Sequence, residues 1–212
     1  MWIFGQAYGT TAGIKSSRPI IAIADDQPPR LSFVNMVEAH VLSAIRYHHG
    51  VSLSAARRAV EYLTRQFGSR HPLAEEQFQT DGVSLFVQRL GLLNVSAPGQ
   101  FAMPEILRAL LRRIDRDEHG LAVRLYPFSR RPLPVGAVPP PALILDESPR
   151  VVVIDPRVGF GRPVLSGTGV TTLSIAERFD AGESIEELAR DYGRSREEIE
   201  EAIRCELTRD AA

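Results

Sequence analysis

Two helix-start signals stand eleven residues apart near the end of the chain, and they leave few choices for the local structure. Ser184 and Glu187 form one Ser-x-x-Glu pattern, and Ser195 and Glu198 form another. In such a capping box the serine hydroxyl accepts a backbone N–H of the first turn, while the glutamate accepts the serine N–H. A glycine stands two residues before each box and suits the end of a preceding helix. The spacing therefore predicts three short helices in close succession.

The three helices are expected to begin near Leu173, Ser184 and Ser195. Apolar residues at helical spacing would give them one shared core, namely Ile175, Phe179, Leu188, Tyr192, Ile199 and Ile203. A short strand over Val151–Ile154 and a glycine-punctuated loop over 155–169 come before them. This order of elements is that of a three-helix module that is helix-turn-helix-like, or homeodomain-like.

The third helix has the wrong charge for reading DNA. It stands in the recognition position, but four carboxylates lie close to its start, at Glu197, Glu198, Glu200 and Glu201. A DNA duplex carries about one negative charge per 1.7 Å of its axis, so it would repel this face. A bundle of DNA-binding shape with an acidic face is better suited to binding a protein.

The charge of the chain is distributed unevenly. Residues 1–131 hold 16 Lys and Arg against 11 Asp and Glu, whereas residues 132–212 hold 9 against 15. This asymmetry fits two surfaces with different partners, or two solvated faces of one domain. Prolines are frequent over 132–150 and predict an extended linker. We therefore expect three parts, which are a region over 1–131, the linker, and the three-helix module over 151–209.

The first part is expected to be mainly helical with a small antiparallel sheet. Tyr8 would pair with Ile20–Ile23 across a polar tip, and one helix capped by Ser32 and a second ending at Phe67 would follow. Asp81-Gly82 is a favoured turn dipeptide and predicts a hairpin between Phe78–Thr80 and Val83–Val87. Further elements are expected as strands over 92–95 and 121–126 and an amphipathic helix over 103–116. The fold class is thus α+β, with a winged-helix-like first region.

No pattern in the chain points to catalysis. The glycine pairs at 159–161 and 167–169 lack the spacing of a phosphate-binding loop, and they suit tight turns instead. The histidines do not have metal-ligand spacing, and no nucleophile stands with a base. A single cysteine, Cys205, and the lack of a long apolar run or signal peptide fit a cytoplasmic protein. We expect a binding protein without a cofactor or metal, and not an enzyme.

Basic residues in the first part are candidates for contact with DNA phosphates. Arg46, Arg57, Arg58 and Arg65 would form a stripe that neutralises phosphates, or else a solvated helix face. Lys15 and Arg18 at the tip of the hairpin would suit the wing of a winged helix.

The chain resembles the long VapB-type antitoxins of bacterial toxin–antitoxin pairs. In the last part the resemblance lies in Val153-Ile-Asp-Pro156, Phe160-Gly-Arg-Pro-Val164, Gly167-Thr-Gly169 and Ala181-Gly-Glu-Ser-Ile-Glu-Glu-Leu-Ala189. In the first part it lies in Leu31-Ser-Phe-Val-Asn-Met-Val-Glu-Ala-His40, Gly50-Val-Ser-Leu53 and Phe78-Gln-Thr-Asp-Gly82. It implies a PIN-like ribonuclease toxin as partner, repression of the shared promoter, and a homodimer. It also adds Ser17 to Lys15 and Arg18 as wing contacts.

The resemblance has one departure. In the family, as in MerR-like winged helices, a helix-turn-helix precedes the Gly-Val-Ser-Leu helices, whereas Met1-Trp2 stands about where that recognition helix would end. The alternative function is a stand-alone MerR-like transcription regulator whose last module serves oligomerisation. If the chain is an antitoxin, the residues expected to contact the toxin are Arg157, Phe160, Arg162, Glu197, Glu198, Glu201 and Arg204.

Overall fold

The structure is a computed structural model that describes residues 3, 7–10, 13–16, 19–49, 51–93, 103–127 and 149–207. Seven α-helices and a four-stranded antiparallel sheet lie in these residues, so the predicted mainly helical α+β class is confirmed. The chain divides into unit 1, Met1–Arg112 with Arg116–Ala122, and unit 2, Arg113–Asp115 with Val123–Ala212. Most of the predicted linker, residues 132–148, lies outside the described residues.

The first two helices of unit 1 form where the sequence predicts them, the first with the predicted Ser32 cap. Helix α1 spans Phe33–His49, and the Ser32 hydroxyl accepts the N–H of Asn35 at 3.1 Å. Helix α2 spans Leu53–Phe67; Ser52 caps its start, and a left-handed glycine follows its last residue. Both helices turn an apolar face inward, because residues such as Val37, Val41, Ala56 and Leu63 are fully buried.

The predicted hairpin at Asp81-Gly82 is wrong, because this stretch is helical. A π-helical turn over Phe78–Gly82 continues directly into helix α3, Val83–Leu93. The rings of Phe78 and Phe86 are buried and meet edge to face, with centroids 5.9 Å apart. A Cβ at Gly82 would lie 2.7 Å from the Phe78 ring and 2.9 Å from the Phe67 ring. The glycine therefore allows close packing against α2 and does not make a turn.

The hairpin at the start of the chain is shorter than predicted. Strand β1, Ala7–Thr10, pairs with β2, Gly13–Ser16, so the predicted pairing of Tyr8 with Ile20–Ile23 is wrong. Gly13 begins β2 with φ +112°, a conformation that allows the chain to reverse after only two residues. A second short pair follows, formed by β3, Asp25–Asp26, and β4, Pro29–Arg30.

The predicted helix over 103–116 ends early. Helix α4 covers Met103–Leu111, and Ile114–Arg116 instead form strand β5. Strand β6, Ala122–Leu125, lies beside β5 and confirms the strand predicted over 121–126. The Tyr126 N–H, just after β6, donates to the Arg113 carbonyl at 2.9 Å. The residues that were predicted as the last helical turn therefore pair with a later strand and do not continue the helix.

Unit 2 is built on an antiparallel sheet in the order β5-β6-β7-β8. Strand β7 is Val152–Ile154 as predicted, whereas β8, Pro163–Leu165, forms within the stretch predicted as loop. Successive strand residues point to opposite faces. Leu165 accordingly joins the core of the helical bundle, while its neighbour Val164 belongs to a second small apolar cluster with Tyr126, Val153 and Val158.

The three predicted helices of unit 2 are confirmed. They are α5, Thr172–Asp180, α6, Ile185–Tyr192, and α7, Arg196–Leu207. Both hydrogen bonds of the Ser184 capping box are present. The predicted core positions Ile175, Leu188, Ile199 and Ile203 are buried and Tyr192 packs against them, but Phe179 is exposed on the surface.

Candidate protein-binding site

The most exposed large apolar side chain in the described residues is Phe160, which is 99% accessible. It lies in a 3-10 turn between Gly159 and Gly161, and all three residues have positive φ, of 58°, 56° and 75°. Phe160 is also the one described residue other than glycine in this region of φ. We name residues 155–162 the Phe160 loop. The turn holds an aromatic ring in water, where it makes no packing contact with the other described residues.

Two arginines flank this ring. Arg162 follows the turn, and its side chain is exposed. Its backbone N–H donates to the Gly159 carbonyl at 3.1 Å. Arg157 precedes the turn, and its Nε donates to Asp155 Oδ1 at 3.1 Å. Gly159 has no room for a side chain, because a Cβ there would lie 2.9 Å from Val164 Cγ1. The loop thus carries an aromatic residue between two cations on a restricted backbone.

Asp155 fixes the base of the Phe160 loop. Its side chain is 4% exposed and accepts from the backbone N–H and the guanidinium of Arg157 and from Arg124 Nε at 3.0 Å. These hydrogen bonds, those of Arg157 first, lower the pKa of Asp155 to about 2. The carboxylate is therefore charged at neutral pH and holds both arginines in place.

The ion pairs continue from Asp155 across the edge of the sheet. Arg124 also lies 3.9 Å from Asp115, and Asp115 accepts from Arg150 Nη1 at 3.4 Å. The Arg150 guanidinium lies over the Tyr126 ring, 4.9 Å from its centroid. We name this row the arginine ladder: Arg150, Asp115, Arg124, Asp155 and Arg157. Each of its three arginines is about half exposed or more.

A buried arginine binds three backbone carbonyls next to the sheet. Arg113 is 4% exposed, and its guanidinium donates to the carbonyls of Tyr126 at 2.9 Å, Pro127 at 3.4 Å and Pro149 at 3.0 Å. Residues 127 and 149 are therefore held together by one side chain. Burial lowers the pKa of Arg113, and the nearby Glu201 carboxylate partly offsets that effect.

The acidic helix α7 differs from the expected open carboxylate face. Glu197 is exposed, but Glu198 accepts the Ser195 N–H at 2.9 Å as the second capping box predicts. Glu201 is 6% exposed and pairs with Arg204, which corrects the prediction that all four carboxylates face outward. The helix turns this residue toward the sheet, where the positive charge of Arg113 offsets the cost of burying a carboxylate.

The predicted DNA-contacting residues lie in unit 1. Arg58 and Arg65 are exposed on α2, but Arg57 is half-buried, with two guanidinium nitrogens that have no hydrogen-bond partner among the described atoms. Arg46 lies on α1 and Lys15 lies on β2 opposite Tyr8, although their side chains are outside the described part. Ser17 and Arg18 lie outside it entirely.

No metal or membrane site emerges from the described residues. Their His, Cys, Asp and Glu side chains form no group of three or more that could hold a metal ion. None of the helices in the same ranges has the length and apolar content needed to cross a bilayer.

The comparisons with known proteins agree with the resemblance seen in the sequence. Residues 152–204 match the family described as "Protein of unknown function (DUF433)". The protein named "Putative antitoxin VapB45", from Mycobacterium tuberculosis (strain ATCC 25618 / H37Rv), is 30% identical over 189 residues, which are 82% of this chain and 70% of the relative. The chain belongs to the VapB45 family. The predicted relationship to VapB-type antitoxins is thus confirmed at the level of the family.

Two further proteins are similar over most of the chain. The "Uncharacterized protein Rv2308" of the same organism is 28% identical over 211 residues, which are 95% of this chain and 80% of that protein. The crystal structure of Rv2018 from Mycobacterium tuberculosis has a TM-score of 0.61 and 26% identity, and it covers 87% of this chain and 85% of that one. The VapB45 family member described here therefore shares both sequence and fold with proteins of this organism.

Sequence reasoning missed most of the arginine ladder. Arg124 had a usable signal, because it lies beside the buried Leu125 in a predicted strand and must point to the other face. Asp115 had none, because it was assigned to the end of a helix. Asp155 stands at the end of a predicted strand, but its partner Arg124, 31 residues earlier in the chain, is brought to it only by strand pairing.

Proposed function

We propose that this VapB45 family member is an antitoxin that binds a cognate PIN-like ribonuclease and neutralises it by occlusion. The observation that carries this proposal is the Phe160 loop. An L-residue in the left-handed region costs about 1–2 kcal/mol, and strained residues persist mainly at functional sites. Within the described part of the chain, no packing contact of the exposed ring offsets this cost. Large aromatic side chains are frequent anchors of protein interfaces, so the ring is suited to a pocket on a partner.

The flanking arginines suit the chemistry of such a nuclease. PIN-like nucleases group carboxylates around a divalent ion, and a guanidinium matches a carboxylate with two parallel hydrogen bonds. In this proposal Phe160 anchors the loop, while Arg162 and Arg157 face the carboxylates of the toxin. The exposed Glu197 lies at the rim of the contact, and the half-buried Arg204 stays within the bundle beside Glu201.

We further propose that unit 1 binds operator DNA and represses the shared promoter as part of a cytoplasmic homodimer. Arg58 and Arg65 are exposed on α2, and Arg89 of α3 lies over the Tyr62 ring at 5.6 Å from its centroid. Tyr62 follows Arg58 by four residues, so these side chains share one face of the helix. A dimer would place two such faces one helical turn apart on DNA.

The antitoxin proposal is tested by co-expressing the chain with the product of the adjacent gene and purifying the pair through one tag. The expected result is a complex in which the nuclease no longer cleaves RNA. Phe160→Ala and Arg162→Ala are expected to weaken the complex and restore cleavage. Leu207→Ala, which shortens another exposed apolar side chain, is the matched control and is expected to have no effect.

Two results would count against this assignment. The first is a neighbouring gene whose product is no nuclease and does not co-purify, which would favour the stand-alone regulator. The second is full inhibition by Phe160→Ala and Arg162→Ala, which would remove the loop from the interface. The DNA proposal is tested separately by the salt dependence of operator binding, which Arg58→Ala and Arg65→Ala are each expected to reduce.

A further inference from the structure

The charge of unit 2 is segregated between its strands and its helices. Residues 149–165, which hold β7, the Phe160 loop and β8, contain three arginines and one aspartate. Residues 172–207, which hold the three helices, contain eleven carboxylates and five arginines. Four of those five arginines form ion pairs with carboxylates of the helices, namely Arg178, Arg194, Arg196 and Arg204. Most cations of the helices are thus paired within the helices, whereas the arginine ladder and the neighbouring Arg162 hold the exposed arginines of the described strands and loop of this unit.

The ladder holds its guanidinium groups in place before any partner arrives. Asp155 fixes both Arg124 and Arg157, and Asp115 fixes Arg150. The Arg150 guanidinium also rests on the Tyr126 ring, and the Tyr126 hydroxyl donates to Asp115 at 3.1 Å. Three arginines against two aspartates leave one net positive charge. Fixed side chains lose less conformational entropy on binding than free ones, so such a row favours association.

We infer that the arginine ladder binds a carboxylate-rich patch on the partner protein, next to the pocket that receives Phe160. The inference rests on the proposed function, and it adds Arg124 and Arg150 to the contact surface. Arg157 belongs to both the ladder and the Phe160 loop, so the two features form one continuous surface. An apolar anchor with a charged rim is the usual anatomy of a protein interface.

A protein carboxylate patch fits the unit better than a nucleic acid does. Helix α7 packs directly on β7 and β8, so its carboxylates lie on the same small body as the ladder. A nucleic acid strand carries charge along its whole length and would extend beyond three arginines toward eleven carboxylates. A cluster of aspartates or glutamates on a protein is local, and its planar groups match the guanidinium geometry.

The test uses the full-length protein and two probes of opposite chemistry. A short poly-glutamate peptide and a single-stranded oligouridine of equal charge are titrated while the arginine Nε–H resonances are followed by NMR. The peptide is expected to shift the signals of Arg124, Arg150 and Arg157, and the RNA is expected to bind more weakly. Preferential binding of the RNA at the ladder, or binding of neither probe, would overturn the inference.

Variants separate a contact role from a structural one. Arg150→Gln and Arg157→Gln are each expected to weaken peptide binding roughly two- to fivefold, as half-exposed ion pairs do. Arg124→Lys keeps the positive charge beside buried Asp155 but loses the planar guanidinium group. It is expected to weaken binding without unfolding the unit. Arg190→Gln is the control, because this exposed arginine of α6 lies outside the ladder. A thermal melt of each variant shows whether it is folded.

The same variants in the co-purification assay keep the two proposals apart. Loss of the nuclease complex with the ladder variants, but not with Arg190→Gln, supports both. A complex that survives in Arg150→Gln and Arg157→Gln while Phe160→Ala destroys it would overturn the ladder and leave the antitoxin role intact. Peptide binding at the ladder without any nuclease partner would overturn the antitoxin role. It would leave intact the inference that the ladder binds carboxylates.

Discussion

Replacing Phe160 by glycine is expected to stabilise the protein and to weaken its binding to the partner. Phe160 has φ +56° and ψ +36°, which costs an L-residue about 1–2 kcal/mol and glycine almost nothing. The ring is almost entirely exposed, so its removal gives up no buried surface within the chain. The usual expectation that loss of a large apolar side chain destabilises a protein is therefore reversed here.

The size of the effect follows from two opposing terms. Relief of the left-handed backbone adds about 1–2 kcal/mol to the free energy of unfolding, and the greater freedom of glycine in the unfolded chain subtracts about 0.4–1 kcal/mol. The net gain lies between about 0 and 1.6 kcal/mol, with a central value of about 0.8 kcal/mol. For a domain of this size that gain raises Tm by roughly 2–8 °C. Loss of a ring buried at an interface would cost about 1.5–3 kcal/mol of binding free energy, or roughly 10- to 150-fold in Kd.

Calorimetry of the full-length protein and titration with the nuclease provide the assay. Phe160→Ala is the matched control, because it removes the ring but keeps the Cβ that makes the left-handed backbone unfavourable. Its Tm is expected to stay near that of the wild type, while its affinity falls as far as that of Phe160→Gly. A lower Tm in Phe160→Gly, or equal Tm values in the two variants, would refute the argument from strain. Unchanged affinity in both variants would refute the role of the ring.

Three other predictions concern the interior of the two units. Arg113→Met, which leaves three carbonyls without their donor, is expected to lower the free energy of unfolding in urea by about 3 kcal/mol, whereas the exposed Arg108→Met changes it by less than about 0.5 kcal/mol. The pKa of Asp155, at about 2 because Arg157 and Arg124 donate to it, lies below the value of about 4 in an unfolded chain. Its contribution, roughly 2–3 kcal/mol, is therefore complete above about pH 5 and is lost as the pH falls toward 2, so wild type and Asp155→Asn should differ in urea stability at pH 6 and converge at the acid end. Gly82→Ala is expected to destabilise unit 1 by about 1–3 kcal/mol, because its methyl group would meet the Phe78 ring; a neutral result would contradict the helical packing of this stretch.

The helices of unit 2 and the first two helices of unit 1 were predictable from sequence because local interactions decide them. The hydrogen bonds of a capping box join residues three apart, so Ser184 and Ser195 mark helix starts whatever surrounds them. Apolar periodicity likewise located Ile175, Leu188 and Ile199 in one core. The same local signals fixed the start of α1 and the end of α2.

Packing between distant residues decided the parts that sequence reasoning assigned wrongly. Asp81-Gly82 favours a turn on its own, but the space between two phenylalanine rings makes Gly82 a helix-packing position. Glu201 looks solvent-exposed in an acidic stretch, yet it is buried with Arg204 and near Arg113. Phe67 of α2 packs beside Gly82, and Arg113 lies near Glu201, and no local pattern contains either of these neighbours.

The candidate site likewise has one part that the sequence could predict and one part that it could not. From the sequence alone, Phe160 and Arg162 could be singled out because they lie together in a glycine-punctuated loop. The arginine ladder joins residues 115, 124, 150 and 155, which become neighbours only when β5, β6 and β7 pair. The exposure of the Phe160 ring also depends on the positive φ of residues 159, 160 and 161. The close approach of Gly159 to Val164 of β8 restricts this turn. Sequence thus determined which local elements form, because their stabilising contacts are short-range, whereas the charged surface was decided by contacts between strands far apart in the chain.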